Sequence, residues 1–272
     1  MGVPIRGCAV ALASLLLGFP VAAEERTKLD DAARAKIRAE ILADALAEFK
    51  RAADFLAGQR SFRLEAELGW DVVQPSGHLL EFGGTRKVTI RRPDRARVEA
   101  RSRDGEQNSL FFDGKRVAIT IPEENAYVLV DKPGSIDDAM DYLALELDTP
   151  VPLADIIQSD FYAEVSDRIV AGIDLGDSRV DGVDCQHLAF DAGEVDFQIW
   201  IEDGDRPLPR RFVITYKNQP GDPQFWARLY GWKLDVEAPD ALFDFQPAAG
   251  AERIPFSAAS REIAQEQEKG GR

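Results

Sequence analysis

The stretch Phe62-Arg63-Leu64-Glu65-Ala66-Glu67-Leu68-Gly69-Trp70-Asp71 decides the fold class. Phe62, Leu64, Ala66, Leu68 and Trp70 alternate with mostly charged residues, the period of two that sets one face of a strand on a core and the other in water. Sheets with one wet face are antiparallel, because parallel sheets are covered on both sides. Similar alternation recurs around Leu80-Phe82, Val88-Ile90, Ala96-Val98-Ala100, Val117-Ile119-Ile121 and Tyr127-Leu129. Asp104-Gly105 and Asp113-Gly114 are hairpin signals between these runs. Short connections of this kind imply an antiparallel meander.

Upstream the period becomes helical. From the capping start Thr27-Lys28-Leu29-Asp30 to Leu56 the chain contains neither Gly nor Pro. Ile37, Ile41, Leu42, Ala45, Leu46, Phe49, Ala53 and Leu56 fall at three- and four-residue steps, with charges on the other side. The pattern predicts one long amphipathic helix ended by Gly58, with an apolar stripe that must cover something.

Downstream, Pro133-Gly134 closes the first strand set. Ser135 can cap a helix whose first turn carries Asp137-Asp138 and whose apolar side is Met140, Leu143 and Leu147, up to Thr149-Pro150. Pro152 opens a shorter helix through Ile156 and Ile157 toward Phe161. A second strand set follows, punctuated by Asp181-Gly182 and Asp203-Gly204. It carries Leu188-Phe190, Val195-Phe197-Ile199-Ile201 and Phe212-Ile214-Tyr216. In Phe225–Leu234, Trp226, Tyr230 and Trp232 alternate with Phe225, Ala227 and Leu229, which predicts a central strand covered on both sides. No repeat or linker divides the chain, so residues 24–256 read as one domain before a polar tail, 257–272, expected to be frayed.

The N-terminus reads as an export signal. Arg6, the apolar run Gly7–Phe19 and Val21-Ala22-Ala23 form its three regions, with cleavage expected after Ala23. That points to a bacterial periplasm. The apolar run is too short for a membrane-spanning helix, and no later segment is long and apolar enough. Loss of Cys8 would leave Cys185 without an internal disulfide partner.

Composition narrows the function. The 272 residues are 45% apolar and carry a formal net charge of −15, so a core is available, while nucleic acid and anionic bilayers are repelled. The sequence holds no G-x-S-x-G elbow, phosphate-cradling glycine loop or H-E-x-x-H pair. His78 falls in a turn. Cys185-x-His187 would share one strand face, but a zinc site needs at least three protein ligands and no cluster supplies the rest. Glu123-Glu124 and Asp137-Asp138 read as solvated acids. No catalytic residue, metal or cofactor is expected.

Several strings together carry a resemblance. Arg91-Arg92-Pro93-Asp94-Arg95, Phe112-Asp113-Gly114-Lys115-x-Val117 and Pro122 with Tyr127 resemble the first strand set of the outer-membrane lipoprotein carrier (LolA-like) superfamily. The strings from Asp181 to Phe190 (DGVDCQHLAF) and Val195 to Gly204 (VDFQIWIEDG), with Pro207-x-Pro209, resemble a family of predicted periplasmic proteins grouped with it. The resemblance implies an α+β fold: an unclosed, curved antiparallel sheet, or half-barrel, whose concave face is covered by helices. It also implies an apolar cavity between them for acyl chains or other lipid moieties. The helix Asp30–Leu56 and the pair near Asp137–Phe161 would be plug and lid.

The leading expectation is a periplasmic binder or carrier of a lipid or lipid-modified protein. Leu42, Phe49, Phe82, Phe197, Ile199, Trp226, Tyr230 and Trp232 are candidates for lining the cavity, although aromatic residues such as these equally pack as core. The alternative is an envelope interaction or stress-sensing module that acts through a protein partner. A hydrolase ranks third, and would need His187 within hydrogen-bonding reach of an acid such as Asp196.

Overall fold

The computed structural model describes residues 31–147 and 153–256. The expected signal peptide, the capping start at residues 27–30, the Thr149-Pro150 and Pro152 boundaries and the tail 257–272 lie outside these residues.

The long helix is α1 (Asp31–Ala57), and the Gly58 N–H closes back on Asp54 O at 3.0 Å. The first meander is β1 (Ser61–Val73), β2 (Leu79–Arg91), β3 (Arg95–Ser102), β4 (Gln107–Phe112), β5 (Arg116–Ile121) and β6 (Ala126–Asp131). Then come α2 (Ile136–Asp141), a π-type turn (Tyr142–Glu146), α3 (Ala154–Ile157) and α4 (Phe161–Ser166). The Ser135 cap forms as a reciprocal box: Ser135 Oγ accepts from Asp138 N at 3.1 Å, and Asp138 Oδ2 accepts from Ser135 N at 2.8 Å. The helix expected through Phe161 is instead two, with Phe161 starting α4. The second meander is β7 (Ala171–Val180), β8 (Val183–Asp191), β9 (Val195–Glu202), β10 (Pro209–Tyr216) and β11 (Gln224–Leu234), and β12 (Glu252–Arg253) closes the order.

All twelve strands lie in one curved, unclosed sheet, in the order β12-β6-β5-β4-β3-β2-β1-β11-β10-β9-β8-β7. Two meanders therefore meet at the β1–β11 pair. The segment carrying α2 to α4 connects β6, next to one edge, to β7 at the other, so the helices expected as a lid belong to the crossover. Every pairing is antiparallel except β12 with β6, which makes the sheet mixed at that edge.

The concave face holds two apolar clusters. One joins Phe62, Leu64 and Leu68 of β1, Val88 and Ile90 of β2 and Phe112 of β4 to Ile136, Met140 and Leu143 from the crossover. The other joins Ala45, Phe49 and Ala52 of α1 to Leu188, Phe190, Ile199 and Ile201. Outside, residues 235–251 run as a strap over the first meander before β12 joins its edge. Arg91 donates to Ala238 O (2.6 Å) and Arg97 to Leu242 O (3.3 Å), while Phe245 packs on Phe111 and Tyr127 at 5.8 and 5.0 Å. The second meander carries no such strap among the described residues.

β11 departs from the expected pattern in two ways. Gly231, at φ +63°, forms a bulge opposite β1, where the register slips between Arg63 and Glu65. The bulge inverts the alternation, so Trp232 shares the inner side with Ala227 and Leu229 while Trp226 and Tyr230 turn outward. The strand is central, as predicted, but its outer face borders an open groove instead of a covering layer.

Candidate functional site

Between α1, α3, α4 and the inner face of β9–β10 lies a cavity of about 260 Å³. Phe49, Ala52, Ala53 and Leu56 enter from α1 at helical spacing, and Val195, Phe197 and Ile199 from β9 at strand spacing. Phe212, Ile214 and Tyr216 alternate along β10, and Phe161, Val165 and Arg168 arrive from α4 and the turn after it. Only Arg168 and Tyr216 among the lining residues carry a polar side chain, and no carboxylate lines the cavity. Phe49 is the hub: its ring lies 5.4 Å from Phe161, edge-on at 89°, and within 5.8 Å of Tyr162, Phe190 and Phe197. Such a space can enclose an apolar chain, and it offers no nucleophile and no acid–base pair.

Residues 45–257 match the DUF2092 family, described as predicted periplasmic proteins. The chain belongs to this family. The protein is periplasmic, and no helix among its described residues is long and apolar enough to cross a membrane. Solved structures similar to this DUF2092 protein include the Mycobacterium tuberculosis lipoprotein LppX, at 14% identity over 72% of this chain and 98% of that one, with a TM-score of 0.45. A LolA superfamily protein from Nitrosomonas europaea is 10% identical over 74% and 97%, with a TM-score of 0.37. The complex of MucB with MucA from Pseudomonas aeruginosa matches at 16% identity over 78% and 63%, with a TM-score of 0.41. No curated protein matches the sequence. The curved, unclosed sheet with helices over its concave face is the architecture that the sequence resemblance implied.

The structure distributes the eight candidate residues of the DUF2092 chain unevenly. Phe49, Phe197 and Ile199 line the cavity. Leu42 packs against the same cluster, beyond the lining. Phe82 lies opposite Trp70 on β2, half-buried and outside the lining. Trp232 packs tilted against Phe62 (5.7 Å) and donates to Pro209 O at 3.1 Å, so it backs a lining residue without lining the cavity itself. Trp226 and Tyr230 belong to the outer face. β11 is apolar on both sides, so alternation could not tell inside from outside, and the pairing with β1 decides. Phe161 and Val165 stand at helical spacing (i, i+4), beyond the helix that the sequence analysis ended toward Phe161, whereas Arg168 lies past the end of α4 and carried no such signal; Phe212 and Ile214 alternate as the expected strand does.

The outer face of the second meander carries a stack instead. His187 lies on Trp200 with centroids 4.0 Å apart and planes at 13°. Arg211 sits between Trp200 (5.5 Å) and Trp226 (5.8 Å), and Trp226 lies flat over Gly69, where a Cβ would come within 2.7 Å of the indole. Trp226 donates to Glu81 at 3.2 Å, and the hydrogen bonds from Arg103 and Trp226 hold the Glu81 carboxyl below its ordinary range. His187 Nε2 is hydrogen-bonded to Gln198 at 3.0 Å, while Asp196 pairs with Lys217 at 2.7 Å, so the acid a hydrolase reading needs is engaged elsewhere. Cys185 is fully buried with its thiol toward Val183 O at 3.4 Å, and burial pushes it up to about 11. Among the described residues no group of three or more His, Cys, Asp or Glu could hold a metal ion. On the inner face Arg86 lies between Ala66 and Ala100, and burial lowers its guanidinium to about 10, still charged at neutral pH.

Proposed function

We propose that the protein is a periplasmic binder or carrier of a lipid or the acyl part of a lipid-modified protein, held between α1, α4 and β9–β10. The supporting observation is the cavity of about 260 Å³, with apolar walls contributed by both sheet and helices. That volume sits just below the range of about 300–1,000 Å³ found for drug-sized ligands, which suits one narrow chain rather than a bundle. Each methylene moved out of water contributes about 0.8 kcal/mol, so affinity can arise without a hydrogen-bonding site. The role is binding without bond-making.

Native purification followed by mass spectrometry, with displacement of a fluorescent apolar probe as a second readout, tests the reading. Recovery of a stoichiometric hydrophobic guest is the expected outcome. Absence of any guest together with no probe binding overturns it. A protein partner is the second reading, favoured by the edge strand β7 region, where Val170, Ile173 and Leu175 are 66%, 43% and 53% exposed.

A further inference from the structure

The cavity has two unlike ends. Along β10 its lining runs from Pro209 to Tyr216, seven residue steps or about 23 Å at the rise of an extended strand. Leu56, Leu153 and Ile156, all apolar, share a cluster with Leu208, which places them as the walls at the Pro209 end. At the Tyr216 end the β8–β9 turn brings up Ala192 and Val195. Tyr216 pairs with Val195, and Val170 N–H donates to Asp191 O at 2.8 Å, which brings the segment carrying Arg168 to the same place. Both polar side chains of the lining therefore lie at one end.

Arg168 is exposed, so this end is where the cavity meets water, and its guanidinium is in no ion pair with a carboxylate whose side chain is described. The acids that the sheet brings to this end are already engaged. Lys217 bridges Asp191 and Asp196 at 2.8 and 2.7 Å, and Glu194 accepts from Asn218 at 3.3 Å. An exposed guanidinium at the mouth of an apolar tube is matched by a carboxylate at the head of a hydrocarbon chain.

We infer that the ligand is an anionic single-chain amphiphile, bound with its acid group at Arg168 and its tail running toward Pro209 and Leu56. This rests on the reading of the cavity as a ligand site, and it adds which class of ligand is taken and which way round it lies. Displacement of a neutral naphthylamine dye by hexadecanoic acid, hexadecanol and hexadecylamine separates the two claims. The acid should compete at about tenfold lower concentration than the alcohol, the amine being weakest, as one charge-assisted hydrogen bond implies. Arg168→Gln should remove the advantage of the acid and leave the alcohol unchanged, and Arg168→Lys should retain most of it. Equal competition by acid and alcohol, or equal weakening of both by Arg168→Gln, overturns the inference while the cavity reading stands. Failure of all three compounds to displace the dye overturns both.

Discussion

Truncating Phe49 to alanine measures how firmly α1 is held over the sheet. The ring is 1% exposed and touches four other rings, so α1, α4, β8 and β9 meet at this one side chain. Losing it forfeits a transfer term of about 1.5–3 kcal/mol and leaves a void that adds to the loss. Core Phe→Ala replacements together cost about 3–5 kcal/mol. The existing cavity of about 260 Å³ adjoins the ring, so neighbouring side chains have room to relax and the expected loss is near the lower limit, about 3 kcal/mol. In a domain of this size that lowers the melting temperature by about 6–12 °C. Urea unfolding followed by tryptophan fluorescence reads it as a shift in midpoint at unchanged slope. A loss below about 1 kcal/mol would show that the ring cluster does not tether the helix, and the account of the inner layer would fail.

Three further outcomes are expected. Ala53→Phe places a ring in the cavity from α1, and should keep or slightly raise stability while weakening displaceable probe binding at least about tenfold; unchanged binding would locate the guest elsewhere. Gly69→Ala drives a methyl group to within 2.7 Å of the Trp226 indole and should cost about 1–3 kcal/mol, with an altered near-ultraviolet circular dichroism spectrum. A variant indistinguishable by both measurements contradicts the outer-face stack. The Cys185 thiol, raised to about 11 by burial, stays protonated at pH 8, so an aromatic disulfide reagent should leave Cys185 unlabelled in the folded protein and react with it fully in urea. Rapid labelling of the folded protein would contradict that burial.

What the sequence made legible follows from how local each signal is. β1 announced itself because its inner residues Phe62, Leu64, Ala66 and Leu68 are all buried while the charged Arg63, Glu65 and Glu67 between them reach water. The Ser135 box lies within four consecutive residues and needs no tertiary context. β7 gave no signal. As the edge strand it has only one neighbour, and Ala-Gly-Ile-Asp-Leu-Gly-Asp-Ser-Arg-Val buries none of its side chains fully. Leu80-Phe82 and Val88-Ile90 belong to one strand interrupted by Gly83-Gly84. A Cβ there would lie 2.4 Å from Leu68 O and 2.3 Å from Arg101 O, so the glycines mark close approach of both neighbouring strands rather than an end. The site was half legible for a similar reason. Which residues are apolar is local information, whereas the face that Trp226 takes depends on its pairing across β1 and on the bulge at Gly231.

The location of the hollow has a physical cause. Over the first meander the concavity is filled by Ile136, Met140, Leu143 and Ile157, and the strap seals the outer side with Phe243 and Phe245. That half is closed on both sides. Over the second meander α1 turns Ala52 and Ala53 toward the sheet between Phe49 and Leu56, and small side chains cannot reach across the gap that the curvature of β9 and β10 opens. The space left is apolar except at the Arg168 end, and water entering it finds few of the two to four polar partners it requires. A hydrocarbon needs no such partners and recovers the dispersion contacts that the lining residues lack. The sealed half holds the fold, so the open half can admit a guest without either meander having to unfold.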